Sequence, residues 1–227
     1  MSLNVAKGNM YIWVTHTWNV IKGACPHRCS YCYMTRWGTQ KPVRFDDKEL
    51  KMDLGHDNFI FVGSSCDMWA MDIPDSWIER ILNKCSEHDN KYLFQSKNPA
   101  RFLEWRNSIP KNTVLCTTIE TNRWYPEIMR NSPKPVNRAE AMSQIRGFDR
   151  YVTIEPIIDF DLLPMVDLIR QSEPIQVNIG ADSGNNHLPE PSAEKIIALI
   201  NELNRFTKVA SKRNLERILG KEAKRNG

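Results

Sequence analysis

Residues 18–38 read WNVIKGACPHRCSYCYMTRWG, and within them Cys25, Cys29 and Cys32 are spaced C-x3-C-x2-C. Three cysteines in eight residues, just after an apolar run read as a strand, suit metal-binding thiolates better than a disulfide framework. The opening residues, MSLNVAKGN, lack the apolar core of a signal peptide, so a reducing, cytoplasmic setting is expected. Thiolates are the ligands of iron–sulfur clusters, and a four-iron cube offered only three of them keeps one iron free of protein. The alternative is zinc, which closes with four protein ligands. Its fourth ligand would be His27, inside a link too short to chelate without strain, or a distant residue such as Cys66. A cluster used only for electron transfer is the other non-enzymatic reading.

Outward from this loop, short apolar runs alternate with amphipathic stretches, the pattern of repeated β-α units around a parallel sheet. Strands are predicted at Tyr11–Thr17, Asn58–Gly63, Tyr92–Gln95, Thr113–Thr118, Tyr151–Ile154, Ile175–Ile179 and Thr207–Ala210. Helices are predicted at Asp75–Glu87, Pro99–Arg106, Arg138–Arg146, Asp161–Arg170 and Ser192–Arg205, the last opening on Ser192 as a cap. Six or seven units are too few to close an eight-fold barrel. The expected fold is therefore α/β, a partial (β/α)6-type barrel of mostly parallel strands with helices outside. A single domain over residues 1–227 is expected, with the cysteine loop at about 23–37 and a basic, frayed tail at 221–227. Ligands in such folds gather at the carboxyl ends of the strands.

Composition narrows the class. The 227 residues suffice for a full core without disulfides, and 41% hydrophobic with 26% charged residues is ordinary for a folded chain. The net charge of +4 favours acidic partners weakly, below the footprint of a dedicated nucleic-acid binder. No apolar run approaches the roughly 18 residues needed to span a bilayer, so no membrane partner is expected. Cys66, Cys85 and Cys116 are scattered singly and read as buried thiols, Cys66 being the one near a strand end. Trp13, Trp18, Trp77 and Trp105 fall in or directly beside predicted elements and read as packing residues.

The cysteine loop resembles that of the radical S-adenosylmethionine (SAM) superfamily, which carries C-x3-C-x-aromatic-C after the first strand of a partial barrel; here the aromatic is Tyr31. The stretches WNVIKGAC, FVGSSCDMWAMDIPDSWIERIL, YLFQSKNPARF, TIEPII and VNIGADSG also resemble a phage-associated family of small radical SAM-like proteins of unassigned function, over about Trp18–Gly184. That family often has a longer insert between its first two cysteines, whereas the spacing here is the shorter superfamily form. The resemblance implies an enzyme whose [4Fe–4S] cluster, on Cys25, Cys29 and Cys32, binds SAM at its free iron and cleaves it reductively. The 5′-deoxyadenosyl radical so formed would abstract hydrogen from a substrate. A flavodoxin- or ferredoxin-like one-electron donor is implied as a partner.

By the same resemblance, Ser64 and Ser65 stand where the SAM amino group is contacted, and Ser96 and Lys97 where an ammonium meets its carboxylate. Thr118 and Glu120 suit the ribose hydroxyls; the alternative for Glu120 is to cap its loop or pair with Arg123. Asn178 and Gly180 lie in the segment set against the adenine, Gly180 permitting close backbone approach. Candidate substrate-facing residues are Asp67, Trp69, Glu155, Asp182 and Lys212, with Arg213 beside the last. Arg36, Trp37 and Arg44, just beyond the cysteines, form a basic-aromatic stretch suited to a base or a phosphate. A nucleotide or nucleic acid is the leading candidate substrate, and a peptide or small metabolite the alternative.

Overall fold

A computed structural model describes residues 3–220; the predicted basic tail at 221–227 lies outside the described residues. The strands are β1 (Asn4–Val5), β2 (His16–Trp18), β3 (Ile21–Lys22), β4 (Arg44–Phe45), β5 (Phe59–Val62), β6 (Lys91–Ser96), β7 (Thr113–Thr118), β8 (Asp149–Ile154), β9 (Gln176–Ile179) and β10 (Lys208–Ser211). The helices are α1 (Asp47–Leu50), α2 (Asp75–Ser86), α3 (Ala100–Trp105), α4 (Pro126–Met129), α5 (Pro135–Gln144), α6 (Leu162–Gln171), α7 (Ala193–Leu203) and α8 (Glu216–Leu219). Seven strands run parallel in the order β2-β5-β6-β7-β8-β9-β10, and β1 adds one antiparallel strand at the β2 edge. The end strands do not pair with each other, so the sheet is open, the expected α/β partial barrel.

Alternation along each strand separates two faces. Ile60, Val62, Tyr92, Phe94 and Leu115 pack with Ile78, Ile81, Leu82 and Cys85 of α2 and Phe102 of α3. The spacing of the α2 set, three, four and seven residues apart, is a single helical stripe. Val152, Ile154, Val177 and Ile179 continue that outer layer against Met165 and Ile169 of α6 and Leu199 of α7. Ser192 caps α7 by accepting from Lys195 N at 3.3 Å. α5 starts one turn before the predicted Arg138 because Pro135 occupies its first turn.

The opposite face carries Phe61, Leu93, Val114 and Cys116, packed with Tyr11 and Val14. Here the predicted first strand is corrected. Pairing begins only at His16, and Tyr11–Val14 turns back on itself through Val14 N to Tyr11 O at 3.0 Å. Tyr11 stacks on Trp13 at 4.9 Å, and Trp13 meets Tyr151 edge-on at 5.3 Å. The aromatic alternation that resembles a strand instead supplies two rings that fill the lower half of the concave face.

The connection from β2 to β5 carries the cysteine loop and the β3–β4 hairpin, which pairs Ile21 with Phe45 and Lys22 with Arg44. Gly23 sits at φ +104° where a Cβ would lie 2.5 Å from Pro42 O, so the hairpin closes only around glycine. Phe94, fully buried and 5.3 Å from Trp69, reports on the outer core. Phe94→Ala is expected to lower unfolding free energy by about 3–5 kcal/mol, read by urea denaturation.

Candidate functional site

The cysteine loop leaves β2 and is folded by local turns: Arg28 N bonds Cys25 O at 3.1 Å, Cys32 N bonds Cys29 O at 3.1 Å, and Thr35 N bonds Cys32 O at 3.0 Å. The last turn starts a short 3-10 helix, Tyr33–Trp37. All three thiols are free; Cys29 is buried, and Cys25 and Cys32 are half-buried. They share one electrostatic environment. Burial pushes Cys29 and Cys32 up, charge on Cys25 pushes both further, and the Lys97 ammonium draws both down.

A buried network ties this loop to the sheet. Tyr31 donates its hydroxyl to Glu120 Oε1, and Arg138 donates to Glu120 Oε2 and to Thr118 O, each at 2.8 Å. Glu120 and Arg138 have no exposed surface. Lys97 Nζ lies 4.0 Å from Glu120 Oε1 and 5.3 Å from the centre of the Tyr31 ring. Burial alone raises the Glu120 carboxyl, but Arg138 and Lys97 hold it below the ordinary 4.5. On the loop's other flank His27 Nε2 meets Asp67 Oδ2 at 2.8 Å, and Asp67 also accepts from Ser96 Oγ and Lys97 N, each at 2.9 Å. Burial raises Asp67, and His27 brings it below the ordinary 3.8.

Cys66 lies beside the loop, and its interaction with Cys25 holds the Cys25 thiol down to about 6 while Cys25 and burial push Cys66 up. The donor set fits an iron–sulfur cube, which binds one thiolate at each of several separate irons. Among the described residues no three Cys, His, Asp or Glu side chains converge on a point that a single metal ion would occupy.

Above Tyr11 the concave face turns polar. Gln95 accepts from Tyr11 Oη at 2.8 Å and donates to Thr118 Oγ1 at 3.2 Å. Thr118, Thr153 and Asn178 are neighbours across β7, β8 and β9. Thr153 Oγ1 and Asn178 Nδ2 are buried without a hydrogen-bond partner, as is Asn214 Oδ1. At the rim Glu155 receives Lys212 Nζ, Asn9 Nδ2 at 2.7 Å and Asn214 Nδ2 at 3.0 Å. Unsatisfied buried donors and acceptors are costly, so this wall suits a polar ligand that supplies the missing bonds.

Residues 9–193 match the family described as "Protein of unknown function (DUF5131)". The chain belongs to this family. Comparison with curated proteins finds no match. Among solved structures, a spore photoproduct lyase mutant with bound AdoMet and dinucleoside spore photoproduct aligns at TM-score 0.66 and 11% identity, covering 92% of this chain and 80% of that one. The lyase complexed with dinucleoside spore photoproduct aligns at 0.65 and 11%, covering 91% and 78%. A cysteine-to-serine mutant aligns at 0.65 and 11%, covering 92% and 79%. The likeness is one of fold.

Several residues of this DUF5131 chain sit differently from their sequence reading. Trp69 is not substrate-facing but fully buried, edge-on to Phe94 and Phe102. Asp67 faces His27, Ser96 and the Lys97 amide rather than open space. Asp182 folds its own loop, accepting from Gly184 N at 2.9 Å and Asn186 Nδ2 at 2.6 Å. Glu120 pairs with Arg138 and not with Arg123, which holds Asp159 and Asp161. The close approach at Gly180 comes from this chain: a Cβ there would lie 2.7 Å from Glu155 Oε1. Ser64 Oγ and Ser65 N both bond Asn19 Oδ1, at 3.1 and 2.9 Å. Arg138, His27, Asn9, Asn19 and Asn214 join the site without a motif of their own. Arg138 was readable only as a helix residue, since its partner lies 18 positions away.

Two outcomes test the network. Arg138→Met strands a buried carboxylate and is expected to cost about 3–5 kcal/mol in urea unfolding. Because folding holds Glu120 below 4.5, the native state binds fewer protons than the unfolded chain in acid. Its stabilising contribution is complete above that value and is lost as pH falls through the lower folded value. Glu120→Gln should therefore flatten the decline of thermal midpoint as pH falls below 4.5.

Proposed function

We propose that this protein is a radical SAM enzyme, with Cys25, Cys29 and Cys32 holding a [4Fe–4S] cluster. The observation that carries the reading is the set of three free thiols in one anchored loop, at the carboxyl end of a partial barrel and beside a half-buried lysine. When bound, the cluster and SAM together supply reductive cleavage of the sulfonium and a radical able to abstract hydrogen.

The chain's own residues bind and orient. Lys97 offers an ammonium to a carboxylate, held in place through its amide on Asp67. Ser64 and Ser65, fixed by Asn19, offer a hydroxyl and backbone groups to an amine. Thr118 and Asn178 contribute the polar wall on which ribose and adenine would lie, and Thr153 adds a buried hydroxyl beside Tyr11. Glu120 acts one step back, fixing Tyr31 and Lys97. Tyr11 and Trp13 close the bottom of the concave face to water. Glu155 and Lys212 stand at the opposite rim as the substrate-side pair.

A nucleotide or nucleic acid is the proposed substrate class, supported by the likeness of fold to spore photoproduct lyase, one of whose structures holds AdoMet and a dinucleoside spore photoproduct. A small one-electron donor protein is the proposed partner, and the cytoplasm the proposed location; among the described residues no helix is long and apolar enough to cross a membrane.

The rival reading is a structural zinc site, for which Cys66, beside Cys25, would have to supply the fourth thiol. Anaerobic reconstitution followed by reduction with SAM separates the two. Roughly four iron and four sulfide per chain, with release of 5′-deoxyadenosine, is expected. Cys25→Ala, Cys29→Ala and Cys32→Ala should lose both, while Cys66→Ala keeps its iron and sulfide. Stoichiometric zinc without sulfide, lost in Cys66→Ala, would establish the rival.

A further inference from the structure

The part of the chain that carries the cysteines is also the part without carboxylates. Residues 1–45 hold six of the 31 lysines and arginines and none of the 27 aspartates and glutamates. Lys22 is paired with Asp46 and Glu49. Arg36, Lys41 and Arg44 are exposed, and no carboxylate partner for any of them occurs among the described residues. These three cations lie on one arm, the 3-10 helix after Cys32 and the strand that returns to the β3–β4 hairpin.

The arm is built rather than loose. Gln40 Nε2 donates to Met34 O and Gly38 O, each at 3.0 Å, and Ala24 N bonds Lys41 O at 2.8 Å. Tyr33 donates its hydroxyl to Ser64 O at 2.8 Å, and its ring stands edge-on to Trp37 at 5.8 Å. Arg36 lies 5.8 Å from the Trp37 ring centre and also bonds Ser183 O at 3.2 Å. Trp37 is thus braced on two sides yet 64% exposed, and Tyr33 is 42% exposed. A large ring held rigidly in water presents apolar area that a partner would cover.

We propose that residues 33–44 form a docking surface for single-stranded nucleic acid, with Trp37 stacking a base and Arg36, Lys41 and Arg44 meeting phosphates. An aromatic face beside unpaired cations matches a strand that alternates planar bases with negative charge. A duplex matches less well because its bases are already stacked on one another, and an acidic peptide offers the charge without the planes. The proposal deepens the radical SAM reading and rests on it for what capture would serve: a base on Trp37 is delivered five residues beyond Cys32. Binding itself needs neither SAM nor an electron.

Fluorescence anisotropy tests it with labelled single-stranded DNA and RNA of about 12 nucleotides, the matching duplexes, and poly-glutamate as competitor. At least one single strand should bind better than its duplex and more weakly as salt rises. Trp37→Ala should weaken binding roughly tenfold, with Trp37→Phe restoring part of the loss. Joint Arg36→Gln, Lys41→Gln and Arg44→Gln substitution should lower the slope of log affinity against log salt by about 2. These side chains are exposed, so unchanged thermal melting is the control for folding. Absence of single-strand binding, indifference to Trp37→Ala, or displacement by poly-glutamate at equal charge would overturn the proposal. Strand binding without 5′-deoxyadenosine formation tells against the radical reading alone, and the reverse outcome against docking alone.

Discussion

The buried pairing of Glu120 with Arg138 is the constraint on which the site's geometry depends. Both side chains are withdrawn from water entirely. Such a pair is tolerable only when nearly all its polar atoms find partners, because the desolvation of each ion rivals their mutual attraction. Arg138 meets that condition with bonds to Thr118 O, Pro133 O and Ser132 Oγ besides Glu120. Glu120 has Tyr31, Arg138 and Lys97 around it. The pair therefore adds little net stability against an apolar substitute, but it fixes where three groups of the site must be. Tyr31 lies between Cys29 and Cys32, so anchoring its hydroxyl sets the position of the loop that carries both thiols.

A second device holds the opposite flank. His27 sits between Cys25 and Cys29 and is pinned by Asp67, which also binds Ser96 and the Lys97 amide. The ends of β5 and β6 are thereby joined to the same loop that Glu120 joins to β7. Three strand ends thus converge on one short segment through two carboxylates. Neither carboxylate is open to a ligand, which explains why both depart from the roles suggested by their position at strand ends. A carboxylate at the mouth of a parallel sheet is costly to bury unpaired. Here Asp67 is paired with His27 of the loop, and Glu120 with Arg138 while it also holds Tyr31 of the loop.

The fold was largely legible because the outer face of a parallel sheet must be apolar and its helices must present matching stripes. The periodicities over β5 to β10 and α2, α6 and α7 follow from that requirement. Tyr11–Thr17 misleads because alternating aromatic residues satisfy the strand pattern equally well when they plug a concave face. The β3–β4 hairpin escapes notice because its strands are two residues each and are set by one glycine contact. In the site, the three cysteines announce themselves by spacing and thiol chemistry. Arg138, Asn19 and Asn214 do not, since contacts to residues far along the chain leave no local pattern. Asp67 and Trp69 lie two residues apart and are similarly placed by strand-end reasoning. One became a hydrogen-bond hub and the other core, a division made by the packing of Phe94 and Phe102 alone.

Two of the buried polar atoms left without a partner lie side by side on the concave face. The lower half of the concave face is filled by Tyr11 and Trp13, and the rim is closed by Glu155 with Lys212, Asn9 and Asn214. Between them Thr153 Oγ1 and Asn178 Nδ2 lack partners, on neighbouring strands and in register. Apolar residues at these two positions would have removed the penalty at no cost to the sheet, as they do one residue along at Val152 and Val177. Keeping two unpaired polar groups buried is explicable if another molecule completes them. Their place on the concave face, among strands whose carboxyl ends meet the cysteine loop, makes a polar ligand lying across β8 and β9 the simplest completion.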